Sequence, residues 1–337
     1  MHDLANAFIL LSNYVLIPSI TYGSQLAIGA LGITLVFSIL RFANFAHGDT
    51  MAFGTMVAIF CTWGVQALGL SLGPLPVALI TLPVAIAVTI ALVLGIDKII
   101  YQFYRNKKVE PIILVMASVG VMFMMNGIVR ILIGTGDVTF ADGARFIIRA
   151  REFREMTGLD EGLALRTTQV ITVVVAAIVM AALFWFLQKT RTGKSMRAFS
   201  DNEDLALLSG IKPERVVQIT WIIAATLATI AGVLYGLDKG FRPFTYFQLL
   251  LPMFAAAILG GIGQPVGAVV GGFVIAFSEV ALTYAYRRVF EYLGPEGFEV
   301  QGLAQLIETE YKFAISFIIL VIVLLVRPTG IFRGRVL

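Results

Sequence analysis

The amino-acid sequence predicts an all-α polytopic membrane protein, a bundle of eight or nine transmembrane helices in a single domain over residues 1–337. Hydrophobic residues make up 58% of the chain and charged residues only 14%, with a mean hydropathy of +0.90. Soluble domains carry about 25% charged residues, so this composition excludes an ordinary water-soluble protein. Apolar segments recur along the whole chain, and basic residues concentrate in alternate connections between them.

Crossing the hydrocarbon core takes an apolar helix of about 20 residues. The segments that meet or approach this length are Leu16–Leu40, Phe45–Gly69, Leu75–Ile96, Ile112–Gly134, Thr168–Leu187, Val216–Leu237, Phe247–Leu259, Val266–Tyr284 and Phe313–Val326. The seventh is short, so it either crosses alone or pairs with the eighth as a re-entrant segment. Pro111 opens the fourth helix where a missing N–H is least harmful, and Pro83 is expected to kink the third.

Basic residues predict the orientation, because cytoplasmic connections of membrane proteins carry an excess of Lys and Arg. The connections Asp97–Pro111 and about 188–216 are rich in them, whereas the connections 135–167 and 285–312 are net acidic. The C-terminal tail adds Arg327, Arg333 and Arg335. We therefore expect a cytoplasmic connection at about 188–216, extracytoplasmic connections at about 135–167 and 285–312, the N-terminus outside and the C-terminus in the cytoplasm.

The segment Arg41–Thr50 (RFANFAHGDT) joins the first two apolar segments and places polar residues at or near membrane depth. These candidates are Asn44, His47, Gly48 and Asp49. Polar and ionisable groups at that depth are unfavourable unless they face a cavity or a partner. The alternatives are that Asp49 interacts with a helix N-terminus and that His47 is a hydrogen-bonded packing residue. The occurrence of Asn44, His47 and Asp49 around Gly48 favours a role beyond membrane anchoring.

Three further polar residues fall within predicted helices. Asn126 and Arg130 stand four residues apart, hence on one face of the fourth helix. Arg130 and Glu279 lie near the outer ends of their helices, where long side chains reach the interface, so we expect both to snorkel.

The segment Leu259–Pro265 (LGGIGQP) holds three glycines and a proline, which fit poorly in a regular helix. One interpretation is an ordinary turn between two helices. The other is a helix break at Gly260, Gly261 and Gly263 whose backbone groups face a solute path, as in transporters with interrupted helices.

Small residues also recur every four positions in two helices. The two series are Ala224, Ala228, Gly232 and Gly236, and then Gly263, Gly267 and Gly271. Such spacing lets another helix approach closely. We expect packing within the chain, with a pore lining or a subunit interface as the alternative.

The cytoplasmic connection contains the segment Thr192–Pro213, which predicts a short amphipathic helix. Ser200 is the expected N-cap, and Glu203 three residues later would complete a capping box. Leu205, Leu208 and Ile211 supply an apolar stripe, and Gly210 is expected to end the helix. Such a helix is either a solvated connector or a docking element for a cytosolic partner.

The sequence gives no sign of catalysis or of a resident cofactor. Gly193-Lys194-Ser195 superficially resembles a phosphate loop, but Gln188 stands where that loop requires its first glycine. The two histidines and the single cysteine show no metal-binding spacing. We therefore expect neither an enzyme nor a metalloprotein.

Four motifs occur in order along the chain, and together they resemble the LivH-type permeases of branched-chain amino acid ABC importers. The motifs are Asn44–Asp49 (NFAHGD), Arg197–Ile211, Leu259–Gly272 and Arg327–Ile331 (RPTGI). The resemblance covers essentially the whole chain and is specific for the family, but much less so for the solute.

The resemblance implies an inner-membrane subunit of a bacterial importer driven by ATP hydrolysis in other subunits. Its partners would be a second, LivM-like permease, two cytosolic ATPases that bind ATP and Mg²⁺, and an extracytoplasmic solute-binding protein, with no nucleic acid involved. The family's ATPase-contacting segment falls on Ser195, Arg197, Asp201, Glu203, Leu205, Leu208, Gly210 and Ile211. The expected solute path falls on Asn44, His47, Gly48, Asp49, Asn126, Gly260, Gly261 and Gly263.

Two departures and several alternatives accompany this resemblance. Asp49 stands where many members have Glu, and the acidic segment 285–312 is longer than is typical. That segment either contacts the binding protein or only covers the outer surface. Related permeases carry urea or short amides. A proton-coupled secondary transporter using His47 and Asp49 as a relay, and a membrane scaffold without transport, are the other classes.

Overall fold

Helices form nearly all of the regular structure in the computed structural model, which describes residues 2–69, 75–140, 146–294, 302–327 and 329–332. The helices are α1 His2–Leu11, α2 Ile17–Leu40, α3 His47–Ala67, α4 Ala78–Ile96, α5 Gln102–Asn106, α6 Pro111–Ile133, α7 Ala150–Thr157, α8 Thr167–Lys189, α9 Arg191–Asp201, α10 Glu203–Leu208, α11 Pro213–Lys239, α12 Pro243–Gly260, α13 Pro265–Thr283, α14 Arg287–Leu293 and α15 Lys312–Val326. Two π-helical turns, Ser12–Leu16 and Asp97–Tyr101, and a 3₁₀ turn, Thr309–Tyr311, join neighbouring helices. Strands β1 Phe146–Ile148 and β2 Leu165–Arg166 pair antiparallel, with Phe146 opposite Arg166.

Within the described part of the chain, nine continuous helices are long and apolar enough to cross a membrane, which confirms the predicted polytopic all-α class. They are His2–Leu40, His47–Ala67, Ala78–Asn106, Pro111–Ile133, Thr167–Lys189, Pro213–Lys239, Pro243–Gly260, Pro265–Thr283 and Thr309–Val326. The seventh, α12, has 18 residues. A helix of this length is about 27 Å long, close to the hydrocarbon thickness of about 30 Å, so it needs no re-entrant pairing.

The first and third helices differ most from their predicted ends. The first begins at His2 rather than Leu16 and runs for 39 residues. Such a helix is about 58 Å long and exceeds a bilayer of about 40–45 Å, so α1 projects beyond the membrane. The third continues through Asp97–Tyr101, where a loop was predicted. The carboxylate of Asp97 is neutralised by Arg105 at 2.5 Å, which lets the helix carry this charge.

Contacts between connections define the two faces of the bundle. On the Arg41 face, the Arg41 guanidinium donates to the carbonyl oxygen of Ser200. On the α1 face, Asn6 of α1 donates to the Asp160 carboxylate at 3.3 Å. Arg242 pairs with Asp137 at 2.6 Å on that same face. This hydrogen-bonded carboxylate holds the pKa of Arg242 above its ordinary value.

Helix α2 forms the centre of the bundle and is buried along almost its entire length. It packs against α8, α11, α12 and α13. Glycines permit these close contacts: a Cβ atom on Gly272 would lie 2.7 Å from the backbone nitrogen of Ala27. A Cβ atom on Gly232 of α11 would likewise lie 2.7 Å from the carbonyl oxygen of Met51 in α3. Of the predicted small-residue series, Gly232, Gly236, Gly267 and Gly271 do pack closely within the chain, whereas Gly263 lies in the turn before α13.

Replacing Gly271 with alanine should lower the stability of the folded protein, because the added Cβ would overlap the Ala256 carbonyl group of α12. Forcing extra atoms into a packed core costs about 1–3 kcal/mol. Thermal unfolding in detergent measures this loss. Gly120→Ala is the matched control, since a Cβ on Gly120 meets nothing within 4 Å. Equal unfolding temperatures for the two variants would contradict the tight contact between α12 and α13.

Candidate functional site

The segment Arg41–Thr50 folds back into the bundle, so that α3 begins inside it. Arg41 follows the end of α2 in a left-handed conformation, with φ of 61°. The chain then reverses, and a Cβ atom on Gly32 would lie 2.5 Å from Cε1 of His47, the first residue of α3. Gly32 precedes Leu40 by eight residues, which is about 12 Å along the helix. The first turn of α3 thus lies well within the bundle.

Asp49 occupies this first turn and is 1% exposed. Its Oδ1 accepts a hydrogen bond from Nδ2 of Asn126 at 2.7 Å, which brings α3 and α6 together. Among the described residues, its Oδ2 is buried and has no hydrogen-bond partner. Arg130, one turn beyond Asn126 on α6, interacts electrostatically with Asp49. A carboxylate buried with one oxygen unsatisfied is unfavourable for folding alone, so Asp49 stays a candidate for a functional role.

His47 lies on a different side of the same helix. Its side chain is 2% exposed and packs against α2 at Gly32, and within the described chain its Nε2 atom is buried without a partner. Residues two apart on a helix do not face each other, so His47 points away from the Asp49–Asn126 pair. The structure therefore does not bring His47 and Asp49 together as a direct relay.

Gly48 stands between them and faces α12. A Cβ atom on Gly48 would lie 2.6 Å from the carbonyl oxygen of Tyr246 and 3.5 Å from Cβ of Leu250. The preceding Phe45 packs its ring against Phe254 of α12, with centroids 5.3 Å apart. The start of α3 is consequently enclosed by α2, α6 and α12.

Asn44 shapes the turn before α3. Its Oδ1 accepts hydrogen bonds from the backbone nitrogen of Ala46 at 3.1 Å and from the hydroxyl of Tyr101 at 3.4 Å. Tyr101 stacks on Trp221 of α11 at 5.2 Å, and the indole of Trp221 donates to Asp97 at 2.7 Å. The sequence does not predict this connection from Asn44 through Tyr101 to Trp221, because Asp97 and Tyr101 fall in an expected loop.

The glycine segment lies away from Asp49, near the end of α2. Gly261 and Gly263 adopt φ values of 104° and 84° in the turn between α12 and α13. A Cβ atom on Gly263 would lie 3.8 Å from Cβ of Ser38, six residues past Gly32 along α2. Gly260 packs against the backbone of Gly267. This geometry favours the interpretation as a tight interhelical turn over that of a helix break at membrane depth.

The C-terminal segment forms backbone hydrogen bonds with the end of α12, next to this turn. The backbone nitrogens of Ile331 and Phe332 donate to the carbonyl oxygens of Leu259 at 2.8 Å and Gly260 at 3.2 Å. The carbonyl oxygens of Leu259 and Gly260 are thus occupied from within the chain. Of the motif Arg327–Ile331, Pro328 lies outside the described residues, as do Arg333 and Arg335 of the basic tail.

The predicted amphipathic helix is in fact two short helices, α9 and α10. The capping box at Ser200 and Glu203 is wrong, because Ser200 lies inside α9. The N-cap of α10 is Asn202, whose Oδ1 accepts from the backbone nitrogen of Leu205 at 3.0 Å. Asn202, two residues after Ser200, also has a short side chain that can accept this hydrogen bond, and the sequence pattern does not distinguish the two residues.

The predicted end of this helix at Gly210 is confirmed. Gly210 has φ of 80°, its nitrogen donates to the Leu207 carbonyl at 2.9 Å, and the Ile211 nitrogen donates to the Ala206 carbonyl at 3.0 Å. This pair of bonds is a Schellman motif. It fixes the direction in which the chain leaves α10.

Helix α10 presents leucines to solvent on the Arg41 face. Leu208 is 85% exposed and Leu205 is 60% exposed, whereas Ile211 is half-buried. Glu203 is also exposed, in the first turn of the helix. Adjacent exposed leucines next to acidic residues form an apolar contact surface with a polar border, which is typical of a docking element.

Helix α9 connects this surface to the membrane bundle. Gly193 packs against the backbone of Phe186 at the end of α8, and Arg41 at the end of α2 bonds to Ser200. A cavity of about 150 Å³ lies between α2, α8, α9 and the start of α13. It is lined by Leu35, Ser38, Ile39, Leu187, Met196, Arg197, Ser200, Asp201, Gly263, Gln264 and Pro265. Ser195 lies on α9 itself, where its hydroxyl bonds to the Arg191 carbonyl at 3.0 Å.

Glu279 does not snorkel, contrary to the sequence-based expectation. It is 1% exposed and accepts a hydrogen bond from the Ser316 hydroxyl of α15. It also interacts electrostatically with Lys312, whose ammonium group lies 4.5 Å from the ring centroid of Tyr22. A partner on a distant helix holds this carboxylate inside the bundle.

In the acidic segment 285–312, α14 packs against α1 through Val289, Ala7 and Leu10. Glu291 pairs with Arg287 at 2.8 Å, and Glu308 and Glu310 are exposed. Glu296 and Glu299 lie outside the described residues. A contact with a binding protein stays a prediction.

The protein family described as "Branched-chain amino acid transport system / permease component" matches residues 15–324. The high-affinity branched-chain amino acid transport system permease protein LivH of Escherichia coli K12 is 31% identical, covering 93% of this chain and 92% of the relative. BraD of Pseudomonas aeruginosa, with the same description, is 28% identical over 94% of both chains. A probable branched-chain amino acid transport permease of Methanocaldococcus jannaschii is 29% identical over 94% of this chain and 91% of the relative.

Proposed function

Because the chain belongs to the family of branched-chain amino acid transport permeases, and is thus a permease subunit of an ABC importer, we propose that it moves amino acids with branched apolar side chains into the cytoplasm. The observation that carries this proposal is the buried Asp49–Asn126 pair at the start of α3, inside the bundle. The same geometry suits a solute that combines charged groups with an apolar side chain.

The proposed path passes the first turn of α3. The unpartnered Oδ2 of Asp49 is a counter-charge for a substrate ammonium group. The N-terminus of α3 carries a partial positive charge that favours a substrate carboxylate, as at the half-helix ends of other transporters. Phe45, Leu250 and Phe254 supply apolar surface beside it. His47, Gly48 and Asn44 shape this turn, and Gly263 stays a candidate for the cytoplasmic end of the path.

The energy source in this proposal lies outside the chain. Two cytosolic ATPases would bind ATP and Mg²⁺, with one of them docking on the exposed leucines of α10. A second, LivM-like permease and an extracytoplasmic binding protein would complete the importer in a bacterial inner membrane. The Arg41 face would be cytoplasmic, because the basic connections end there. The N-terminus and α1 would lie outside.

The proton-coupled alternative has weaker support, since His47 and Asp49 contact different helices and form no relay. A urea or short-amide substrate is the closer rival. Such a solute would need neither the two counter-charges, the Asp49 carboxylate and the N-terminus of α3, nor an apolar surface, whereas the proposed site offers both.

Uptake by reconstituted proteoliposomes tests the proposal. The full chain, co-expressed with the second permease, the two ATPases and the solute-binding protein, should accumulate radiolabelled leucine only with ATP on the ATPase side. A protonophore should leave this uptake unchanged, and excess urea should not compete. Leucine accumulation by this chain alone, or full competition by urea, would reject the proposed function.

A further inference from the structure

Two adjoining cavities on the α1 face lie outside the proposed solute path. The larger has a volume of about 430 Å³ and is lined mainly by polar residues at the ends of α2, α8 and α11 and by α7. We call it the cationic pocket because Arg154, Arg166 and Lys239 all line it. Tyr14, 56% exposed, stands at its edge, as aromatic residues commonly do at a membrane interface.

The second cavity is an apolar groove of about 220 Å³ between α2 and α8. It is lined by Ile17, Ile20, Leu165, Val170, Val173 and Val174, together with Thr21 and Gln169. Ile17, Ile20 and Thr21 lie part-way along the continuous helix His2–Leu40, and Val170, Val173 and Val174 lie in the first turns of α8. Both helices are long and apolar enough to cross a membrane, so the groove between them faces the bilayer. Half of the Val174 side chain remains exposed there.

The pocket and the groove are continuous. Gln169 lines both of them, and the consecutive residues Leu165 and Arg166 line the groove and the pocket respectively. A ligand lying across this boundary would have one polar and one apolar end.

The charges favour an anionic polar end. Glu161 also lines the pocket but pairs with Arg288 at 3.3 Å. Lys239 pairs with Asp238 at 3.5 Å. Within the described chain, Arg154 makes no ion pair, and Arg166 only lies over the ring of Phe146 at 5.9 Å. Two guanidinium groups are therefore available, and guanidinium groups match the geometry of phosphate oxygens.

We infer that this composite site binds an anionic phospholipid of the surrounding membrane, with its headgroup phosphate on Arg154 and Arg166 and one acyl chain in the groove. A free phosphate would use the pocket but not the groove. A zwitterionic lipid would use the groove, but its ammonium group would meet the same cations. Basic pockets between transmembrane helices are known to bind anionic lipid headgroups on the cytoplasmic side of membranes, and the inferred site would use the same chemistry at the α1 face.

The test compares two lipids with identical acyl chains. The full-length chain, purified with its co-expressed importer subunits in detergent, is mixed with dioleoyl phosphatidylglycerol or dioleoyl phosphatidylcholine and examined by native mass spectrometry. We expect the anionic lipid to be retained preferentially. The double variant Arg154→Gln/Arg166→Gln should reduce its retention by roughly tenfold or more. Arg151→Gln is the matched control, because Arg151 lies on the same helix but pairs with Glu155 at 2.8 Å and does not line the pocket.

A second pair of variants tests the groove. Val174→Trp should fill it and reduce retention of the anionic lipid, whereas Ile178→Trp, one turn further along α8 and 62% exposed, should not. Unchanged elution volume and unfolding temperature establish that each variant folds. Equal retention of the two lipids, equal loss in the Arg151→Gln control, or displacement of the lipid by millimolar inorganic phosphate would each overturn the inference.

Discussion

Replacing Asp49 with asparagine should reduce ATP-dependent leucine uptake by roughly tenfold or more, which corresponds to about 1.4 kcal/mol of lost interaction. The exchange keeps an oxygen that can accept the hydrogen bond from Asn126 at 2.7 Å but removes the negative charge. A substrate ammonium group would then lose its counter-charge inside the bundle. Initial rates of radiolabelled leucine uptake in proteoliposomes measure the effect.

The stability of this variant separates a transport role from a structural one. A buried carboxylate with one unsatisfied oxygen destabilises the folded state, so Asp49→Asn should unfold at the same or a higher temperature than the parent protein. Asp49→Glu should retain part of the uptake, because the charge remains. Thr62→Ala on the same helix is the control, since Thr62 bonds to Thr81 far from the site. Normal uptake by Asp49→Asn would remove Asp49 from the proposed path.

Replacing Leu208 with glutamate should abolish transport by detaching the ATPase. Leu208 is 85% exposed at the end of α10, beside Leu205. A central apolar anchor of a protein interface contributes about 2 kcal/mol or more, and a buried unpaired charge adds a further penalty. We expect roughly a thirtyfold or greater loss of ATPase co-purified through an affinity tag on this chain, together with the loss of ATP-dependent uptake.

Two matched variants support the interpretation of this result. Leu208→Met keeps an apolar side chain of similar volume and should bind the ATPase normally. Leu68→Glu places the same charge on a leucine that is 78% exposed at the far end of α3, and it should leave ATPase binding unchanged. If Leu208→Glu retained the ATPase at the parent level, α10 would be a solvated connector instead.

The sequence predicted the helical segments well because long apolar runs require no knowledge of their partners. It failed where a distant residue decides the structure. Asp97 marked a loop by its charge, yet Arg105 and Trp221 satisfy it within a continuing helix. Glu279 was expected at the interface for the same reason, and Ser316 of a later helix holds it inside.

The site shows the same division between local and distant information. The clustering of polar residues in Arg41–Thr50 is visible in the sequence, because all of them lie within ten consecutive positions. The pairing of Asp49 with Asn126 is not, since 77 positions separate them and no periodicity relates the two helices. Ser200 illustrates a smaller ambiguity: it and Asn202 are both good N-cap residues, and only the packing of α9 against α8 and α2 decides between them.

The uninterrupted helix from His2 to Leu40 has a mechanical consequence for coupling. One end rests on α14 through Leu10 and Val289, and the other is tied through Arg41 to α9, next to the proposed ATPase surface. One continuous helix, with a π-helical turn at Ser12–Leu16, therefore reaches both faces of the bundle. A tilt imposed at Arg41 would displace the contact between α1 and α14 in the opposite direction about the buried middle of α2. A movement at one face of the bundle can thus be transmitted to the other face by a tilt of this helix, without a chain of side-chain rearrangements between them.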